Sequence, residues 1–340
     1  MMAKKTSAKR AAKRPASQRP HVQRHVERNN RHSPVKKSSS PYSHAKGKAP
    51  PKSAVKAANH TKRTKKEAKR EQKHVPQASI TPPKVGRETQ YPVQNDENEL
   101  LVGTLHEPAR PAKALVIVLH GFLGSRNDPL LRETCVALAR SGIAAYRFDF
   151  SGNGDSEGRF EDAVPSKMLR EVDTAVQRFR MRYAKVFLLG HSLGGTLAVL
   201  TAARTGVAGA IAIAAPSHLG KAAERMFTPQ QRAQMRSIGF TLYNVRRTVG
   251  EIPYTITERF VQELVSVDPI AVAPSVRCPV LLVHGSADAI VPITDSEDLF
   301  EALPAREIAL VGGADHFFRY PGHLDVLLDA VVRWVRKHAQ

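Results

Sequence analysis

Gly190-His191-Ser192-Leu193-Gly194 has the residue types and spacing of a serine held at a sharp turn. It follows the apolar run Lys185-Val186-Phe187-Leu188-Leu189 and precedes Gly195-Thr196-Leu197-Ala198-Val199-Leu200. The predicted order is strand, tight turn, helix. A side chain at either flanking position of such a turn would clash, and glycine at both lets the serine Oγ stand clear of the sheet edge. The Leu193 amide, at the start of the next helix, then points to where a negative oxygen would develop. This arrangement serves nucleophilic attack on an acyl carbon. Chance puts G-x-S-x-G in roughly one chain of this length in ten. The weight therefore rests on the partners Ser192 needs: a base, an acid to orient it and a second oxyanion donor.

Three further segments offer those partners, each following an apolar run. His284-Gly285-Ser286-Ala287-Asp288 places Asp288 in a loop as the candidate acid. Gly312-Gly313-Ala314-Asp315-His316 places His316 in another as the candidate base. His120-Gly121-Phe122-Leu123-Gly124 follows a third run, and the Phe122 amide is the candidate second donor. Asp315 competes as the acid, but adjacent residues rarely face one another, so it reads as a solvated or capping residue. Taken singly, a loop Asp is a turn or cap residue, and a loop His is surface or structural. Their joint placement at strand ends, in one order, makes the case.

The elements that must position them alternate along the chain. Glu88–Val93 and Leu100–Leu105 flank the turn signal Asn95-Asp96-Glu97-Asn98 and are expected to pair antiparallel. Strands are expected at 114–119, 143–148, 185–189, 209–214, 279–284 and 307–311. Helices are expected at 129–141, stopped by Gly142, and at 164–183, after Ser192, at 295–303 and at 324–337. Continuous apolar strands alternating with helices predict a mostly parallel sheet covered on both faces. In such sheets ligands bind beyond the carboxyl ends of the strands, where the residues named above fall. Between Ala215 and Pro279 the alternation stops. That insertion, with Phe227, Met235, Phe240, Tyr243, Tyr254 and Phe260, reads as helical and irregular and is expected to form a lid at about 216–278.

Charge divides the chain. Residues 1–90 hold 25 Lys and Arg against 4 Asp and Glu, which is the whole of the chain's net charge of +21. Residues 1–85 show no apolar periodicity and are expected to be a disordered basic tail, with at most a transient helix over 62–70. The remainder, 86–340, suits one domain. A polycationic tail attracts polyanions without sequence preference. Nucleic acid is its first candidate partner and an anionic surface the second, with a merely solubilising extension as the plain alternative. Tyr42 is its one aromatic, which argues against base stacking. Ser33-Pro34, Ser40-Pro41 and Thr81-Pro82 are candidate phosphorylation sites of a common kind. No stretch has the roughly 18 apolar residues of a membrane span, and no secretory h-region is present. The expected location is cytoplasmic, with an organelle-targeting role for the tail as the alternative. Cys135 and Cys278 read as reduced, structural thiols. His21 and His25 lack further ligands, and no metal or cofactor is expected.

The chain resembles the α/β-hydrolase superfamily, and within it the small carboxylesterases of the cinnamoyl/feruloyl-esterase and monoacylglycerol-lipase-like type. The likeness is carried by His120–Gly124, Arg147–Gly158, Gly190–Gly195, His284–Pro292 and Gly313–His316, and spans about residues 88–338. It implies an α/β-hydrolase fold with Ser192 as nucleophile, His316 as general base and acid, and Asp288 as its orienter. The Phe122 and Leu193 amides are then the oxyanion hole. Such esterases often carry His where Asn153 stands, in what reads as a structural turn that tolerates the change. His120, Gly121, His191, Phe227, Phe240, Tyr243 and Phe317 are the expected pocket lining. The implied reaction is cleavage of small to medium carboxylic esters through an acyl-enzyme, failing on acidification once histidine protonates, near pH 6.5 for an ordinary side chain. Peptidase, thioesterase or lactonase chemistry uses the same residues. From another class, a non-catalytic scaffold of the same fold could dock on nucleic acid through the basic tail.

Overall fold

The apolar runs become strands because each carries side chains that must be buried in two directions. In the segment 114–119, Leu115, Ile117 and Leu119 enter one core while Ala114, Val116 and Val118 enter another. A strand that alternates between two buried faces belongs inside a sheet with helices on both sides. The computed structural model describes residues 86–247 and 250–340. The expectations for residues 1–85, namely disorder, a basic helix, phosphorylation and a polyanion partner, lie outside the described residues, as do His21 and His25.

The chain enters through β1 (Arg87–Gln90), β2 (Val93–Gln94), β3 (Leu100–Leu101) and β4 (Gly103–Glu107). β1 pairs antiparallel with β4 and β2 with β3, as the turn signal predicts. Then come β5 (Ala114–Leu119), α1 (Pro129–Arg140), β6 (Ala144–Phe148), α2 (Pro165–Arg180), β7 (Lys185–His191), α3 (Leu193–Arg204) and β8 (Gly209–Ile213). The sheet order is β1-β4-β6-β5-β7-β8, continued by β11 (Val280–Gly285) and β12 (Arg306–Val311). From β6 to β12 every pairing is parallel, and β4 runs antiparallel against β6. α8 (Ile293–Ala302) joins β11 to β12, and α9 (Pro321–Ala339) ends the chain. α1 stops at Gly142, whose φ of 86° lies in the left-handed region.

The insertion departs from the expected helical and irregular pattern. α4 (Leu219–Met226) and α5 (Pro229–Ile238) are followed by an antiparallel hairpin of β9 (Phe240–Arg247) and β10 (Gly250–Thr257). α6 (Glu258–Ser266) and α7 (Pro269–Val272) return the chain to the sheet. Phe240-Thr241-Leu242-Tyr243 and Tyr254-Thr255-Ile256 have the period-two pattern of strands. Pro253 argues against a strand only in a wider sheet. In a two-stranded ribbon each strand has a free edge, where a missing N–H costs nothing. α5 starts with a capping box between Thr228 and Gln231 and ends at Gly239, φ 84°.

Candidate active site

Ser192 joins β7 to α3 with φ 55° and ψ −125°, a backbone conformation that side-chain-bearing residues rarely adopt. Its neighbours leave no room for anything but glycine. A Cβ on Gly190 would overlap the Gly194 carbonyl, one on Gly194 would lie 2.5 Å from the Leu119 oxygen, and one on Gly195 would lie 2.8 Å from the Ala215 Cβ. The Ser192 N–H donates to the Ile213 oxygen at 2.8 Å, which ties the turn to β8. Leu193 is the first residue of α3, where amides have no partner within the helix.

The other strand ends converge on the same edge. His316 Nδ1 and Asp288 Oδ2 are 2.7 Å apart, with both side chains buried. Asp288 Oδ1 accepts from the Ile290 and Val291 amides at 2.8 and 2.9 Å. His284 Nε2, which also faces the Val291 oxygen at 3.0 Å, lies 3.3 Å from Asp288 Oδ2. Burial alone would raise the Asp288 pKa. The hydrogen bonds from His284 and His316 outweigh it and hold the carboxyl well below the usual carboxylate range. Asp315 points elsewhere, accepting from the Arg319 guanidinium at 2.6 Å at the surface.

His191 lies between the elbow and the His316 loop. Its Nε2–H donates to the His316 main-chain oxygen at 2.8 Å, and the two rings are 4.7 Å apart. Burial, helped by the neighbouring His316, pushes the His191 pKa down to about 3. The unfolded chain, with a histidine pKa of about 6.5, therefore takes up this proton first. The His191 contribution to stability is intact above that value and is lost progressively as pH falls toward the folded one. The depressed Asp288 carboxyl acts in the same direction below about pH 4, where the unfolded carboxylate begins to protonate. Moving from pH 7 to pH 4.5 is expected to cost on the order of 2 kcal/mol through His191. In His191→Gln the urea midpoint should fall by less over the same interval, and an equal fall in both proteins would refute the assignment.

The loop after β5 approaches the elbow from the other side. A Cβ on Gly121 would sit 3.1 Å from the Ser192 Cβ and 3.7 Å from its Oγ. His120 is 1% exposed, and both ring nitrogens are engaged. Nδ1 faces the Gly121 oxygen at 2.8 Å and Nε2 accepts from the Phe150 amide at 3.1 Å. It therefore braces the loop from beneath rather than lining a pocket, a correction to the expected lining. Asp149 completes the brace, accepting from the Arg126 amide at 2.6 Å and pairing with its guanidinium, which also reaches Asp155 at 2.6 Å. Asn153 sits in that turn, and its Nδ2 donates to the Ser151 oxygen at 3.0 Å, as expected of a structural position.

The expected pocket residues separate. Phe317 is 47% exposed and lies edge-on to His316, with ring centroids 5.0 Å apart. Phe227 is buried and meets Tyr243 at 5.8 Å, and Tyr243 meets Phe122 at 6.0 Å. Phe240 does not join them. It is 39% exposed and stands three residues before Tyr243 on β9, hence on the opposite face of the hairpin. Phe260 and Phe160 belong to the group instead, with centroids 5.1 and 6.5 Å from Phe122. Phe260 is visible in the sequence as an insertion aromatic, but the pairing of α6 with the β5 loop is not. His284 is likewise quoted by the motif without any sign that it would touch Asp288. Burial raises the thiol pKa of Cys135 to about 12 and that of Cys278 to about 11, so neither is a poised nucleophile. Among the described residues no cluster of three or more His, Cys, Asp or Glu could hold a metal, and no helix is long and apolar enough to cross a membrane.

A parallel sheet with a strained serine turn and partner loops at its carboxyl edge is the α/β-hydrolase fold. By fold the chain is an α/β-hydrolase, and its resemblance to esterases and lipases of that superfamily holds. A family model described as serine aminopeptidase, S33, matches residues 110–270. The monoglyceride lipase of Rattus norvegicus is 26% identical over 276 residues, spanning 71% of this chain and 88% of the lipase. The mitochondrial palmitoyl-protein thioesterase ABHD10 of Mus musculus is 26% identical over 228 residues, 63% of this chain and 72% of its own. Among solved structures, Est1E from Butyrivibrio proteoclasticus with ferulic acid bound matches with a TM-score of 0.62 at 22% identity, covering 73% of this chain and 98% of Est1E. The named relatives that the chain is similar to are a lipase and a thioesterase, and Est1E shares its fold.

Proposed function

We propose that the protein is a serine hydrolase that cleaves carboxylic esters of small to medium acyl chains through an acyl-enzyme on Ser192. The observation that carries this reading is the 2.7 Å bond between His316 and Asp288, two loops brought together beside the strained serine. In the proposed cycle His316 Nε2 takes the Ser192 proton as Oγ attacks the carbonyl carbon. The carbonyl oxygen becomes an oxyanion facing the Phe122 and Leu193 amides. His316 returns the proton to the departing alkoxide, leaving the acyl group on Ser192. Water then attacks with His316 again as base, and the acid leaves. Asp288 holds the Nδ1–H tautomer that keeps Nε2 free to accept.

The test is turnover of p-nitrophenyl esters from acetate to decanoate, set beside an acyl thioester and amino-acid p-nitroanilides at equal concentration. Ester turnover with a chain-length optimum is the expected result, and the optimum sizes the pocket under the insertion. Dominant thioester turnover would favour the reading suggested by the thioesterase relative, and dominant anilide turnover the one suggested by the aminopeptidase family description. Silence on all three would bring forward the non-catalytic scaffold. For the basic segment 1–85 we propose nonspecific attraction to nucleic acid or another anionic surface, supported by its charge. Retention of the full chain on DNA should weaken steeply with added salt, and salt-independent retention would refute it.

A further inference from the structure

The aromatic group around Phe122 links the insertion to the backbone amide that the proposed mechanism uses. Phe122 sits in a tight loop closed by the Gly124 N–H donating to the Gly121 oxygen at 3.1 Å, with Leu123 at φ 57°. Below, His120 and the Asp149–Arg126 pair hold the loop, and on one side Gly121 abuts Ser192. The Gly121 oxygen, which belongs to the same peptide plane as the Phe122 N–H, is held by the Gly124 N–H and faces His120 Nδ1 at 2.8 Å, and the Phe122 side chain anchors the other end of that plane at its Cα. That ring stacks on Phe260 of α6 at 5.1 Å and an interplanar angle of 29°, and meets Tyr243 of β9 edge-on at 6.0 Å and 73°. Tyr243 is backed in turn by Phe227. Offset stacking and edge-to-face contact constrain both the position and the tilt of a ring, which a lone aliphatic contact does not.

We propose that Phe260 and Tyr243 are positioning residues for the oxyanion hole, acting through the Phe122 ring to hold its amide at the distance a developing oxyanion requires. The inference rests on the serine-hydrolase reading above. It makes the insertion part of the catalytic geometry as well as a cover over it. A donor displaced by about 1 Å forfeits up to about 100-fold in rate, so loosening this stack should act on kcat. The neighbouring Tyr254 supplies the control. It is the cross-strand partner of Tyr243 in the same hairpin, but it reaches the Phe122 ring only at second hand, packing at 5.1 Å on Phe160, whose own ring lies 6.5 Å from that of Phe122.

The experiment compares p-nitrophenyl acetate with its thiono counterpart, using the full chain and the variants Phe260→Ala, Phe260→Leu, Tyr243→Ala and Tyr254→Ala. Acetate is too short to fill an acyl pocket, and sulfur accepts hydrogen bonds more weakly than oxygen, so the ester-to-thionoester ratio reads the hole itself. Tyr243→Ala and Phe260→Ala should lower kcat about 10- to 100-fold with KM unchanged and narrow that ratio. Phe260→Leu should recover part of both, and Tyr254→Ala should leave them near wild type. Tyr243 is only half buried, so its variant carries the test if Phe260→Ala does not fold. A rise in KM with kcat and the ratio unchanged would overturn the inference, because the rings would then be lining the pocket. Equal effects of Tyr254→Ala and Tyr243→Ala would overturn it too, as a general loosening of the insertion. Absent turnover by the wild type would instead overturn the Ser192 reading, and this inference with it.

Discussion

Ser192→Ala is expected to lower ester turnover by at least about 10⁴-fold, approaching 10⁶-fold if the residual rate comes only from binding and the oxyanion donors. The size follows from what is lost. Without Oγ no acyl-enzyme forms, and water must attack directly with poorer placement. The fold should be untouched. Alanine occupies the same left-handed φ with no greater strain, and the Ser192 N–H bond to Ile213 is a backbone contact that survives. Matching circular dichroism and unfolding midpoints would establish that. An organophosphate should label the wild type once and the variant not at all. A variant that keeps a tenth of the activity, or is still labelled, would remove Ser192 from the nucleophile's role.

The second large effect is expected at Asp288. Every group facing this carboxylate is a donor: the Ile290 and Val291 amides, His316 Nδ1 and His284 Nε2. In Asp288→Asn one of them must meet an NH₂ instead of an oxygen. The relief is for the His316 ring to carry its proton on Nε2, which removes the lone pair that should accept from Ser192. A loss of about 10⁴-fold in kcat follows, as is typical when such a carboxylate becomes an amide. Asp315→Asn breaks only a surface pair with Arg319 and should change turnover by less than about twofold. The reverse pattern would make Asp315 the acid.

Much of this site was legible because of where its residues stand in the pattern. Phe122, Ser192 and Asp288 follow runs buried on both faces, which can only be inner strands, whereas His316 follows β12, the half-exposed strand at the edge of the sheet. The glycines of the elbow announce a contact too close for a Cβ, and the structure shows which atoms would collide. The hairpin was not legible. Its alternation is short, and Pro253 reads as a breaker until it is known that both strands are edges.

The sequence by itself determined which residues could do chemistry and that they stand at the carboxyl ends of strands. Period and punctuation are local properties, readable over a few residues. Tertiary structure alone decided their partners. Asp288 and His316 are 28 residues apart, and they meet because β11 and β12 pair in parallel, so that both loops leave the same edge. β8 separates that pair from the Ser192 strand, an order that long crossovers set and local propensity does not. The same holds for the aromatics. Residues three apart share a helix face but oppose one another on a strand, so the hairpin turns Tyr243 toward Phe122 and Phe240 toward solvent.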